Sequence, residues 1–144
     1  MKPIDDNKML RYINKAGQMG ERNLTRVLEY PLKDELRKEL REQRQEYKEL
    51  RELSASMLRR RGQRPREINR ALDAFSAVHV KAEMRRDHSP AAVADMVIHG
   101  NHMGLQKSIN HLNHYSGRNE QVRTLAVKLM RTEKSGIDSL KPFL

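Results

Sequence analysis

The chain has 144 residues, about the size of one domain, and 29 Lys and Arg against 19 Asp and Glu give this basic protein a formal net charge of +10. Because it has no Cys, the sequence excludes disulfides, thiolate metal sites and a cysteine nucleophile. No apolar run approaches the roughly 20 residues that span a bilayer, and the first residues lack a signal-peptide core, so we expect a cytoplasmic protein with no membrane partner.

Apolar residues recur every three or four positions, which predicts helices, and the alternation typical of strands is missing. The first predicted helix covers residues 5–29, from an aspartate N-cap to the residues before Pro31. The second covers residues 32–61, carries a heptad seam and ends at Gly62. The third covers residues 66–87 after Pro65. Its predicted buried stripe consists of Ile68, Leu72, Phe75, His79 and Ala82.

Two further helices complete the predicted elements. Ser89 as N-cap and Pro90 at the first helical position begin a helix over residues 90–115, and Asn119 caps another over residues 119–141. Short connections favour antiparallel neighbours. The sequence therefore predicts one all-α domain over residues 1–144, an up-and-down antiparallel bundle of four to five helices.

Four polar residues fall inside the apolar stripes of different predicted helices: Gln43, His79, Asn101 and Glu133. With alternating helix directions, all four lie at a similar depth, so we expect them to meet. The simplest interpretation is a hydrogen-bonded layer that fixes helix register, because buried polar groups need partners.

The alternative interpretation is a metal site, because imidazole and carboxylate groups inside a helical bundle are typical of iron and manganese proteins. Its candidate ligands are His79 and Glu133, with Glu83 and Glu21 near the same depth. The characteristic Glu-x-x-His is absent, which limits such a site to a single metal ion. We expect no cofactor under the first interpretation.

Three segments of the chain form recognisable motifs: Met9-Leu10-Arg11-Tyr12-Ile13 with Met19-Gly20, Ser89-Pro90 through Ala94–Gly100 to Met103-Gly104, and Glu133 through Lys141-Pro142-Phe143-Leu144. In these segments the chain resembles a family of small bacterial ferritin-like proteins that has no assigned activity. The resemblance covers nearly the whole chain and implies a ferritin-like helical bundle. The iron chemistry of the wider superfamily depends on a ligand pattern from which this chain departs.

Two surface features suggest partners. A weakly apolar patch of Met96, His99 and Met103 lies opposite the buried face of the fourth helix and suits a subunit interface. A basic cluster, which consists of Arg59, Arg60, Arg61, Arg64 and Arg66, suits nucleic-acid phosphates. However, no aromatic residue stands between these arginines to stack on bases.

No nucleophile and base are arranged as in known hydrolases. We therefore expect a non-catalytic helical-bundle protein that acts through self-association, as a homo-oligomer, or through a protein partner. The alternatives are a metal-binding bundle and an electrostatic nucleic-acid binder that uses the basic cluster.

Overall fold

A computed structural model describes residues 2–144 and contains five α-helices followed by a 3-10 turn at Lys141–Phe143. The α-helices are α1 (Asp6–Val27), α2 (Asp34–Arg60), α3 (Arg70–Arg86), α4 (Pro90–Asn113) and α5 (Glu120–Leu140). Four of the five begin at a side chain that accepts a backbone N–H bond, as N-caps do. These caps are Asp5, Asn69, Ser89 and Asn119. No strand occurs within residues 2–144, so the predicted all-α fold is confirmed.

Contacts between helices show their directions. Along α1, Asn14 bonds Ser54 and the later Glu21 bonds the earlier Arg51, so α1 and α2 are antiparallel. Gln43 bonds the Gly136 carbonyl and Glu49 pairs with Lys128, so α2 and α5 are also antiparallel.

Helix α4 completes the group of four around the core. Ile4, just before α1, donates to the His114 carbonyl at the end of α4, and Tyr12 contacts Ser108 one and a half turns earlier. Helix α4 is therefore antiparallel to α1, and the core lies between α1, α2, α4 and α5.

Glycine brings α1 and α2 close together. A Cβ atom at Gly17 would lie 2.8 Å from the backbone nitrogen of Arg51 and 2.9 Å from the backbone carbonyl oxygen of Tyr47. The backbones can approach this closely because glycine has no side chain. Fully buried leucines fill the space between the helices, among them Leu10, Leu36, Leu40, Leu50 and Leu129.

Helix α3 starts at Arg70, whereas the sequence predicted residue 66. The Gln18 side chain accepts a bond from the Ile68 N–H at 3.1 Å and donates to the Arg66 carbonyl at 2.8 Å. These bonds satisfy backbone groups that helix formation would otherwise pair, so the chain stays non-helical until Asn69 caps α3. The segment 61–69 consequently runs along α1.

Helix α3 also buries a different face from the predicted one. Val80 and Met84 are buried, whereas Leu72, Phe75, His79 and Ala82 are exposed, so the predicted stripe is wrong for these four. The face that packs inward carries Val80 and Met84 together with Asp73, which bonds Arg22 at 3.0 Å and Arg26 at 2.6 Å on α1. The two apolar side chains and these ion pairs together place the Asp73 side of α3 inward and the Phe75 side outward.

None of the helices within residues 2–144 combines the length and apolar character needed to cross a bilayer.

Candidate functional site

Polar side chains from α2 and α4 meet each other and a backbone carbonyl of α5 inside the core. The Tyr47 hydroxyl donates to Asn101 at 2.7 Å, and the Asn101 amide donates to Gln43 at 3.2 Å. Gln43 in turn donates to the Gly136 carbonyl at 3.2 Å. A Cβ atom at Gly136 would lie 2.6 Å from the Asn101 amide nitrogen, so this glycine leaves room for the pair. The arrangement links α2, α4 and α5 in one register.

Glu133 lies one helical turn from this group and belongs to a second series of hydrogen bonds. Ser108 donates to a Glu133 carboxylate oxygen at 2.5 Å, and the Tyr12 hydroxyl lies 2.9 Å from the Ser108 hydroxyl. Gly104 supplies the space, because a Cβ atom there would collide with the other carboxylate oxygen. The Tyr12 ring stacks on His111, with ring centroids 3.7 Å apart, and so extends this series toward the surface.

The surroundings of Glu133 disfavour its charged form. Its side chain is only 2% exposed. Burial raises its pKa from 4.5 to about 7, and the bond from Ser108 offsets only part of this increase. Burial also raises the pKa of Tyr12 to about 12. Glu133 is therefore an acid that changes charge near neutral pH inside the bundle.

The structure does not bring the predicted metal ligands together. His79 is exposed on α3, which corrects its predicted place in the polar layer. Glu21 instead bonds Arg51 at 2.5 Å, and Glu83 bonds Arg86 at 2.6 Å within its own helix. Within residues 2–144, no group of three or more His, Asp or Glu side chains could hold a metal ion. Glu21 and Glu83 are thus paired with arginines, and Glu133 lies apart from the other candidate ligands.

Helix α3 carries three of the seven large hydrophobic residues that are exposed within residues 2–144. Phe75 is 73% exposed and Val78 is 68% exposed, and Leu72 lies beside them. Exposed alanines surround them at positions 71, 74 and 82. We call Ala71, Ala74, Phe75, Val78 and Ala82 the α3 face.

The apolar spacing of α3 predicts Phe75 inside the core, whereas the structure exposes it. Helix α3 has apolar residues on both sides, because Val80 and Met84 oppose Phe75 and Val78. Either side of α3 could therefore form the buried stripe. A charged residue such as Asp73 distinguishes the two sides, but its arginine partners are distant in sequence.

The predicted α4 interface is divided between core and surface. Met96 packs partly against the core, whereas His99 is exposed and Met103 is 51% exposed. The patch therefore offers less apolar area to a partner than the α3 face does.

The basic cluster lies at the end of α2 and along the segment 61–69. All five arginines are exposed. Arg61 is engaged by the start of α1, where it donates to Asn7 at 2.6 Å and lies 3.7 Å from Asp6. Arg59 and Arg66 line a groove beside α1 and α2 that Arg60, Arg61 and Arg64 do not line.

That groove has a volume of about 720 Å³ and lies between α1, α2 and the segment 61–69. Five arginines and three glutamates line it: Arg22, Arg26, Arg51, Arg59 and Arg66, with Glu21, Glu29 and Glu67. The amides of Asn14 and Gln18 also line it and bond each other at 2.7 Å. We call this feature the arginine groove.

Comparison of the chain with protein-family models, with curated proteins and with solved structures finds no match.

Proposed function

We propose that this protein is a non-catalytic, ferritin-like helical bundle that acts by self-association, and that two copies pair through the α3 face. Support for the ferritin-like architecture comes from four long helices packed around a buried polar layer, as in bundles of that class. The observation that carries the proposal is the exposure of Phe75 and Val78 side by side on one helix.

Exposure of this face costs free energy that a partner would recover. Burying one phenylalanine side chain stabilises a complex by roughly 1.5–3 kcal/mol. The α3 face repeats at i, i+3, i+4, i+7 and i+11, which is the pattern of a helix that packs on another helix. No charged residue interrupts it between Ala71 and Ala82 on that face.

The pattern favours a second copy of the chain because the face complements itself. In an antiparallel pair of α3 helices with a two-fold axis between residues 78 and 79, Phe75 would lie opposite Ala82 of the second copy. A large side chain would then fill the space left by a small one, twice in each dimer. Such a self-complementary patch is what a two-fold interface requires.

The first test is the oligomeric state of Phe75→Glu. We expect wild type to dimerise and Phe75→Glu to raise the dimer Kd by about a hundredfold or more, because each dimer would bury two phenylalanines. Sedimentation velocity over a concentration series measures this change. The fold should persist, because Phe75 contributes little to the core.

Leu53→Glu is the matched control, since Leu53 is a 44%-exposed apolar residue on α2. It should leave the dimer Kd unchanged. Met103→Glu tests the α4 patch in the same way and should also have no effect. Wild-type chains that remain monomeric at high concentration, or a dimer broken equally by the control, would overturn the proposal.

The absence of native Cys allows a second test of register. Val78→Cys would place one thiol on each side of the two-fold axis, so mild oxidation should give a covalent dimer. Ser135→Cys, exposed on α5, should stay largely monomeric under the same conditions.

A further inference from the structure

Some arginines of the arginine groove form ion pairs within the bundle, whereas others do not. Arg51 bonds Glu21, and Arg22 and Arg26 both bond Asp73, so these three arginines are part of the bundle's own ion pairs. Arg59 and Arg66 form no ion pair with any carboxylate of residues 2–144. Their two guanidinium groups are therefore available to a ligand.

The wall that carries Arg66 is held in place by buried amides. Asn14 donates to the Arg51 carbonyl and to Ser54, and Gln18 holds Arg66 and Ile68 by their backbones. Both Asn14 and Gln18 are buried. The groove is consequently a preformed feature, and a ligand need not order this segment when it binds.

The charges are unevenly placed along the groove. Because α1 and α2 are antiparallel, Arg59 near the end of α2 lies toward the start of α1, whereas Glu29 follows the end of α1. One end therefore offers guanidinium donors, which match phosphate oxygens.

We propose that the arginine groove binds a small organic phosphate whose phosphate group contacts Arg59 and Arg66. The volume of about 720 Å³ falls within the range of small-molecule sites. Three glutamates in the lining disfavour a continuous polyanion such as nucleic acid, whose phosphates would pass close to them. This proposal does not depend on self-association.

The test compares two double variants that remove the same charge. Arg59→Gln/Arg66→Gln should weaken binding of ribose 5-phosphate by about tenfold or more, since a charge-assisted bond is lost at each position. Arg60→Gln/Arg64→Gln removes two exposed arginines outside the groove and should change the affinity less than twofold. Isothermal titration measures both affinities at one fixed ionic strength.

The side-chain amides of Asn14 and Gln18 provide an independent readout in the intact protein. Their NMR signals should shift on addition of ribose 5-phosphate, because both side chains line the groove. Inorganic phosphate should bind more weakly than ribose 5-phosphate, because it contacts Arg59 and Arg66 but not the rest of the groove.

Three outcomes would contradict the proposal: no binding of ribose 5-phosphate by wild type, equal losses in the two double variants, or equal affinity for inorganic phosphate. Random oligonucleotides that bind with equal dependence on all four arginines would identify instead a diffuse basic surface for nucleic acid.

Discussion

At the residue scale, Glu133 is a carboxyl inside the bundle that has a hydroxyl donor but no cationic partner within residues 2–144. Its folded pKa of about 7 lies above the ordinary value of 4.5, so the folded protein holds a proton that the unfolded chain releases. Its contribution to stability is therefore complete below pH 4.5 and is lost as the pH rises through 7.

Replacement of Glu133 by glutamine removes this pH dependence. Between pH 5 and pH 8 the free energy of unfolding of Glu133→Gln should rise relative to wild type by up to about 3 kcal/mol, because wild type alone must ionise a buried acid. Urea denaturation at several pH values measures the difference. Glu42→Gln, on the exposed side of α2, serves as the control, and a pH-independent difference for Glu133→Gln would contradict the assigned pKa.

Sequence analysis identified Gln43, Asn101 and Glu133 because polar residues in apolar stripes stand out at helical spacing. It missed the partners Tyr12, Ser108 and Tyr47. Tyrosine and serine are unremarkable within a stripe, and only the folded chain shows that their hydroxyl groups point toward the carboxyl and the amides. The space that Gly136 leaves for Asn101 and Gln43 is likewise visible only in the folded chain.

At the element scale, α3 differs from the four core helices. Its main packing partner is α1, and its anchor is the pair of bonds from Arg26 and Arg22 to Asp73, which keep the pKa of that carboxyl below its usual value. Only Val80 and Met84 of this helix are buried. A helix held by so few contacts opens more readily than its neighbours.

Substitution of Asp73 by asparagine should therefore loosen α3 selectively. We expect backbone amide exchange over residues 70–86 to rise several-fold, since exposed or half-exposed ion pairs contribute roughly 0.2–1 kcal/mol each. Exchange in α2 and α5 should not change. Hydrogen–deuterium exchange by mass spectrometry measures both, and Glu83→Gln, which breaks an ion pair within α3 alone, is the matched control. A uniform rise across all helices would contradict the anchor role.

At the scale of the whole molecule, the net charge of +10 opposes the pairing of two copies. Repulsion between like-charged chains is screened by salt, whereas burial of the α3 face is not weakened by it. The same screening weakens the binding of a phosphate to arginine. The two proposed surfaces should thus respond to ionic strength in opposite directions.

An ionic-strength series tests this contrast directly. Between about 50 and about 300 mM NaCl, the dimer Kd should fall, because the Debye length shortens from about 14 to about 6 Å. Over the same range the ribose 5-phosphate Kd should rise. Sedimentation and titration on one preparation measure the two constants, and a dimer that weakens with salt would point to an interface held by charge pairs.

The sequence by itself determined the all-α class and the positions of four of the five helices to within two residues, because caps, prolines and apolar spacing act locally along the chain. Tertiary structure alone decided which face of α3 is buried, where α3 starts, and which charges remain unpaired in the arginine groove. Each depends on residues far apart in sequence: Asp73 with Arg22 and Arg26, and Gln18 with Ile68. Periodicity describes one helix at a time, whereas an ion pair or a backbone bond between segments exists only after the helices have packed.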